Sequence, residues 1–125
     1  MFKLKKKYIA EGDFTFKSGY KAAEILINKN ENISSIFAFN DQMAIGAIKY
    51  CINNNMKVPD QISIIGFDDI EAAKFANPSL STVYQSGTKL GIEIMNILLK
   101  KINGSQETKS NVFIPHDLII RESSK

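Results

Sequence analysis

Apolar residues recur along this chain in two rhythms, one helical and one extended, and each predicts an element. From Ser18 to about Asn28, Tyr20, Ala23 and Ile27 fall on one stripe with Leu26 beside it, predicting a helix capped by Ser18 and ended by "NKNEN". "SIFAF" (35–39) is short, apolar on both faces and followed at once by another helical pattern, as a buried parallel strand is. That second helix is expected from about Gln42 to Asn53, with Ala44, Ala47, Ile48 and Cys51 one turn apart. "QISIIGF" (61–67) reads as a second buried strand. A short helix over 70–76 follows, stopped by Asn77-Pro78, and "LSTVYQ" (80–85) is a third extended run. Helical spacing returns from Ser86 to about Asn103, with Leu90, Ile94, Ile97 and Leu98 on one side and Gly104 placed as the C-terminal glycine. "NVFIP" and "DLIIRES" predict two short strands around Pro115. Strands alternating with helices imply an α/β fold with an open, mostly parallel sheet and flanking helices.

Polar residues matter most where they interrupt this pattern. Right-handed crossovers aim the loops after parallel strands at one edge, and ligands bind in the crevice there. Asn40-Asp41 and Asp68-Asp69 both occupy that position. Asp41 and Asp69 are expected to cap the helices that follow, which leaves Asn40 and Asp68 free to meet a ligand. A carboxylate accepts hydrogen bonds and an amide both donates and accepts, so together they suit a sugar or polyol. Upstream, "EGDFTFKSGY" places Phe14 just before a helix, where its ring either stacks on a ligand or joins the core. A second apolar line on the helix over 42–53, Ile45, Ile48 and Ile52, is open to two readings, a wide core face or a subunit contact.

Composition narrows the chemistry. The chain has 125 residues, 44 % hydrophobic and 23 % charged, which suits one ordinary globular domain and is too short for two. Its net charge of +3 is concentrated at Lys3, Lys5, Lys6 and Lys7, better read as a solvated end than as a nucleic-acid surface. Cys51 is the single cysteine, so no intramolecular disulfide forms and a cytoplasmic home is expected. The apolar stretch after the basic start breaks off too early for a secretory signal, and nothing approaches the roughly 20 apolar residues of a membrane span. His116 is the only histidine, which excludes a metal site built from His and Cys. No phosphate-binding glycine fingerprint occurs, and no cofactor is implied. One enzyme-class alternative survives: Asp41, Asp68 and Asp69 as a magnesium-dependent, phosphoryl-accepting cluster like that of receiver domains. That chemistry also needs a Lys and a Ser or Thr after later strands, and Lys74 and Thr82 sit at the wrong points in the order.

"FNDQMAIGAIKYC", "VPDQISIIGFDD", "NPSLSTVYQ", "LGIEIMNILLKKING" and "PHDLIIRES" resemble, in order and spacing, the C-terminal part of lactose/galactose-repressor (LacI/GalR) transcriptional regulators. Periplasmic sugar-binding proteins of transporters share the fold and a similar "ND-x-MA-x-G" segment, whereas Val58-Pro59-Asp60 and the Pro78-x-Leu80-Ser81-Thr82 run look more repressor-like. The resemblance implies a periplasmic-binding-protein-like (type I) C-terminal subdomain, incomplete in this chain, that senses a small effector, a sugar or a purine, without catalysis. Asn40 and Asp68 would contact the ligand's polar groups and Phe14 would stack on it; Ile45, Ile48 and Phe75 would lie at a homodimer interface. DNA would be met only through an N-terminal helix-turn-helix that this chain lacks. Residues 1–125 are thus expected to be one partial effector-binding and dimerisation domain, with helix 86–103 belonging to the missing N-terminal lobe. With half the cleft absent, effector binding is expected to be weak or lost.

The stripe of Leu90, Ile94, Ile97 and Leu98 then has no native partner, and burying each such side chain is worth about 1.5–3 kcal/mol. This helix is expected to dock on a neighbouring chain, giving a dimer or a swapped assembly. Light scattering at micromolar concentration should show a species larger than a monomer; a monodisperse monomer overturns the expectation.

Overall fold

The computed structural model describes residues 4–29, 32–104 and 111–125. After a 3-10 turn at Lys6–Tyr8, the elements run α1 (Phe16–Lys29), β1 (Ser35–Phe37), α2 (Asp41–Asn53), β2 (Ser63–Phe67), α3 (Glu71–Phe75), β3 (Ser81–Gln85), α4 (Gly87–Ile102) and β4 (His116–Ile119). The four strands form one sheet in the order β1-β2-β3-β4. β1, β2 and β3 run parallel, and β4 pairs antiparallel with β3. The mostly parallel sheet expected from the alternation of elements is therefore present.

The core forms where the stripe of α2 meets one face of the sheet. Ala44, Ala47, Ile48 and Cys51 from α2 join Ile62, Ile64 and Leu80, with Ile36 packed against them. Ile62, Ile64 and Leu80 have no exposed surface, and each contributes about 1.5–3 kcal/mol by burial. α1 lies on α2 through Ala22 and Ala23, and Tyr20 meets Tyr50 edge-on with ring centroids 5.2 Å apart. The two helix backbones touch at Gly46. A Cβ there would strike the carbonyl oxygen of Phe16, and one at Gly19 would strike the backbone of Met43. Small residues at a helix crossing are what permit so close an approach.

Two strand expectations are corrected. "SIFAF" is not buried on both faces: the strand ends at Phe37, and Phe37 and Phe39 are 53 % and 74 % exposed. β1 is an edge strand in the described sheet, and register puts Phe37, Ile65, Phe67, Val83 and Leu118 on the face away from α2. "NVFIP" forms no strand, because no described strand lies beside it to pair with; Phe113 is 81 % exposed. Only His116–Ile119 of the last predicted pair is a strand. The chain beyond it is nevertheless anchored. Ser123 is fully buried, its hydroxyl donates to the carbonyl of Ile64 at 2.6 Å, and its carbonyl accepts from the Ile64 amide at 2.7 Å.

α4 begins at its expected cap, with Ser86 Oγ accepting from the Lys89 amide, and ends at Gly104 with φ 76°. None of its residues is buried. Of the apolar stripe read from the sequence, Ile94 and Leu98 are about half exposed and Leu90 and Ile97 half-buried, and Ile92 and Met95 beside it are about half exposed.

Gly46→Ala should lower the stability of the α1–α2 pair by roughly 1–3 kcal/mol, because the added methyl forces two backbones apart. Urea denaturation followed by circular dichroism checks this; a midpoint within error of the unsubstituted protein contradicts the packing.

Candidate functional site

The parallel register itself assembles the rim. Phe37 of β1 pairs with Ile65 of β2; three residues further along each chain stand Asn40 and Asp68. The two side chains therefore leave neighbouring strands at the same level of the same edge. Gln85, the last residue of β3, reaches that edge too, two residues beyond Val83, which pairs with Phe67.

Asn40 is the N-cap of α2. Its backbone is extended (φ −153°, ψ 167°) and its Oδ1 accepts from the Met43 amide at 2.9 Å. The cap expected at Asp41 therefore lies one residue earlier. Capping needs an extended residue whose side-chain oxygen folds back on the first turn, whereas Asp41 is already helical. Asn40 also donates through Nδ2 to the carbonyl oxygen of Phe14 at 2.9 Å. One amide hydrogen and one oxygen lone pair remain for a ligand.

That bond brings Phe14 to the rim. The approach to α1 is a knot of short polar contacts: Asp13 Oδ1 accepts from the hydroxyl of Thr15 at 2.6 Å, and Thr15 Oγ1 accepts from the Ser18 amide at 3.1 Å. Thr15, not Ser18, thus caps α1. Between Asp13 and Thr15, Phe14 adopts φ 65°, and its ring is 61 % exposed. A bulky side chain in the left-handed region costs about 1–3 kcal/mol and persists only where its surroundings over-determine it. Here both flanking residues and Asn40 do so. Of the two readings open for Phe14, its exposure removes the core.

The second strand end is also held in unusual backbone. Asp68 and Asp69 have φ 110° and 53°. The Asp68 amide donates to the Val83 carbonyl at 2.9 Å, and its exposed carboxyl is raised from the ordinary 3.8 by desolvation. Asp69 does not cap α3 as expected; the N-cap of α3 is Ile70, without a side-chain bond. The carboxylate of Asp69 instead accepts from Arg121 Nη2 at 2.6 Å. Neither Arg121 nor Gln85 stood out in the sequence, since a lone polar residue at the end of a strand has no pattern to belong to.

Asp41 turns inward. It has no exposed surface, its Oδ1 accepts from Thr82 Oγ1 at 2.5 Å, and its Oδ2 accepts from the Ile70 amide at 2.8 Å. Burial raises its carboxyl from 3.8; the bonds from Thr82 and Ile70 oppose that, and the charges of Asp68 and Asp69 add to it. With both oxygens of Asp41 engaged and Asp69 paired to Arg121, the three acids do not converge on a cation. Among the described residues no group of three or more His, Cys, Asp or Glu is placed to hold a metal.

The interface candidates divide. Phe75 is 80 % exposed and Ile45 half-buried, whereas Ile48 is 2 % exposed and belongs to the core. Ile52, on the same line and 44 % exposed, offers the surface that Ile48 does not. No described helix is long and apolar enough to cross a membrane.

The model of the periplasmic binding protein-like domain family matches residues 2–124. The HTH-type transcriptional repressor CytR of Escherichia coli strain K12 is 37 % identical over 119 residues, covering 95 % of this chain and 35 % of the repressor. A sugar-binding transcriptional regulator of the LacI family from Escherichia coli, solved with phosphate, superposes with a TM-score of 0.80 at 37 % identity, over 97 % of this chain and 43 % of that one. The lac repressor dimer bound to operator and the anti-inducer ONPF gives 0.80 at 29 % identity, over 90 % of this chain and 39 % of that one. The chain thus spans about a third of the length of the curated relatives it matches.

Asp41→Asn should destabilise the protein by about 1–3 kcal/mol at neutral pH, because an amide hydrogen replaces one buried acceptor. A carboxyl raised by folding binds its proton more tightly in the native state, so its contribution to stability is fully present below pH 3.8 and is lost as pH rises from there through the raised value. Relative to Asp41→Asn, the unsubstituted protein should therefore gain stability as pH falls through that window. Denaturation curves collected across it, with no change in the difference, would refute the assignment.

Proposed function

This chain belongs to the family of periplasmic binding protein-like domains, and from that premise we propose that it is the effector-sensing and dimer-forming part of a cytoplasmic transcriptional regulator, with no catalytic role. The observation that carries the reading is the bond from Asn40 to the Phe14 carbonyl. It ties the backbone of Phe14, whose side chain is exposed, to an amide with spare donor and acceptor capacity, at the level of Asp68. A ring platform with converging polar groups suits a ligand that has one apolar face and several hydroxyl or ring-nitrogen groups, a sugar or a purine. Curated relatives that are transcriptional repressors favour a regulator over the binding protein of a transporter, although both use this fold.

Dimer formation follows the same logic. Ile52 and Phe75 are exposed and Ile45 half-buried on elements that start at the rim, and α2 carries both Ile45 and, at its first turn, the amide capped by Asn40. A ligand that changes the lie of Asn40 acts directly on a helix of the subunit contact. DNA would be engaged through a separate helix-turn-helix, and effector occupancy would set its affinity.

Saccharides and purine bases titrated at millimolar concentration, with amide chemical shifts as the readout, should move Phe14, Asn40 and Asp68 with at least one member of the panel; millimolar affinity corresponds to about −4 kcal/mol. Phe14→Ala should weaken that binding up to about tenfold through the lost ring contact. A saccharide or purine that binds with an affinity Phe14→Ala leaves unchanged refutes the site.

A further inference from the structure

We propose that Arg121 is a positioning residue for the rim: its guanidinium clamps Asp69 and so holds the strained turn that presents the Asp68 carboxylate. The inference rests on the effector-site reading for its functional meaning, although the clamp itself can be tested without any ligand.

Two consecutive non-glycine residues at φ 110° and 53° form a backbone that does not hold itself. Three main-chain bonds support it: the Asp68 amide to the Val83 carbonyl at 2.9 Å, the Asp69 amide to Thr82 Oγ1 at 3.4 Å, and the Ile70 amide to Asp41 Oδ2 at 2.8 Å. The middle bond is long, so Asp69 is the weak point of the turn. Its carboxylate is where Arg121 acts, through Nη2 at 2.6 Å, while Nη1 of the same guanidinium donates to the Leu80 carbonyl at 2.7 Å.

Arg121 is itself fixed at its backbone, where its amide donates to Ser81 Oγ at 2.8 Å and its carbonyl accepts from the same hydroxyl at 3.1 Å. The side chains of Arg121 and Asp69 are 16 % and 14 % exposed, so the pair is shielded rather than a surface contact that water screens. The residues beyond β4 thereby reach 52 positions back along the chain to set the geometry of a loop they do not otherwise support. A planar fork with two donors meets the carbonyl and the carboxylate together; a lysine ammonium presents no such fork.

The test compares Arg121→Met, Arg121→Lys and Asp69→Asn with the unsubstituted chain by NMR. Arg121→Met should shift the three-bond HN–Hα couplings of Asp68 and Asp69 from those of positive φ toward those of extended backbone. It should also speed amide exchange of Asp69 and Ile70 about tenfold or more while leaving α1 and α2 unchanged. Arg121→Lys should restore neither, and Asp69→Asn, which keeps the bond to Leu80 and a residue tolerant of left-handed backbone, should give a smaller change of the same sign. A residue that contributed stability alone would lower the melting temperature without altering these couplings. Unchanged couplings and exchange at residues 68–70 in folded Arg121→Met overturn the proposal, and if that variant does not fold, unchanged values in Asp69→Asn do so. Failure of every saccharide and purine to bind the unsubstituted chain would count against the effector site, while the couplings would still decide the clamp.

Discussion

A buried carboxylate organises the edge of the sheet at which its parallel strands end. Asp41 sits in the first turn of α2, takes a hydrogen bond from a strand residue, Thr82, and another from the entrance of α3 at Ile70. One side chain thus joins three elements that are far apart in sequence. Gly66 of β2 makes room for it, since a Cβ there would collide with Asp41 Oδ1. A carboxylate without solvent costs several kcal/mol unless its oxygens are satisfied. The fold meets that requirement by spending a hydroxyl and a main-chain amide on it. Positions of α2, β3 and the 68–70 turn are consequently tied to one another.

Around this fixed centre the exposed rim is built from backbone that would not stand alone. Phe14, Asp68 and Asp69 all have positive φ. Each is held by bonds from elsewhere, Phe14 by Asn40 and the acid pair by Val83, Thr82 and Arg121. Strain of this kind collects where a side chain must be aimed rather than packed. The side chains of Phe14 and Asp68 that stand on this backbone are exposed, and beside them the half-buried Asn40, on ordinary extended backbone, keeps one donor and one acceptor unused. Adjacent residues thus differ in what they do: Asp41 is buried and bonded inward where Asn40 caps α2 at the rim, and Asp69 is paired to Arg121 where Asp68 is exposed.

Apolar surface is distributed unevenly. One face of the sheet is closed by α2, with α1 packed on it, whereas the other carries Phe37 and Leu118 more than half exposed, and α4 turns Ile92, Ile94, Met95 and Leu98 to solvent. Contiguous exposed apolar surface marks places where protein meets protein. Ile52 of α2 and Phe75 of α3 are exposed as well, whereas Ile45 is half-buried against the core.

Periodicity read from the residues alone located the four described α-helices and the strands β1 to β3 between them, because burying an apolar stripe imposes spacings that survive without knowledge of the fold. It also marked Asn40-Asp41 and Asp68-Asp69 as strand-end pairs, since polar residues that break an apolar run stand out locally. It misassigned the duties within each pair, giving the caps to Asp41 and Asp69, it made β1 a buried strand, and it left Ile48 open between core and subunit contact. Those questions turn on contacts across the chain. Whether an acid caps a helix or is drawn inward depends on Thr82 and Ile70; whether a strand is covered depends on what lies across the sheet. Arg121 was invisible for the same reason, its partner being 52 residues away. Sequence by itself determined which segments are helical or extended and which edge is polar, because those follow from local spacing; the tertiary structure decided which polar group is buried, which is aimed outward and what holds it there, because those depend on partners that only folding brings within hydrogen-bond reach.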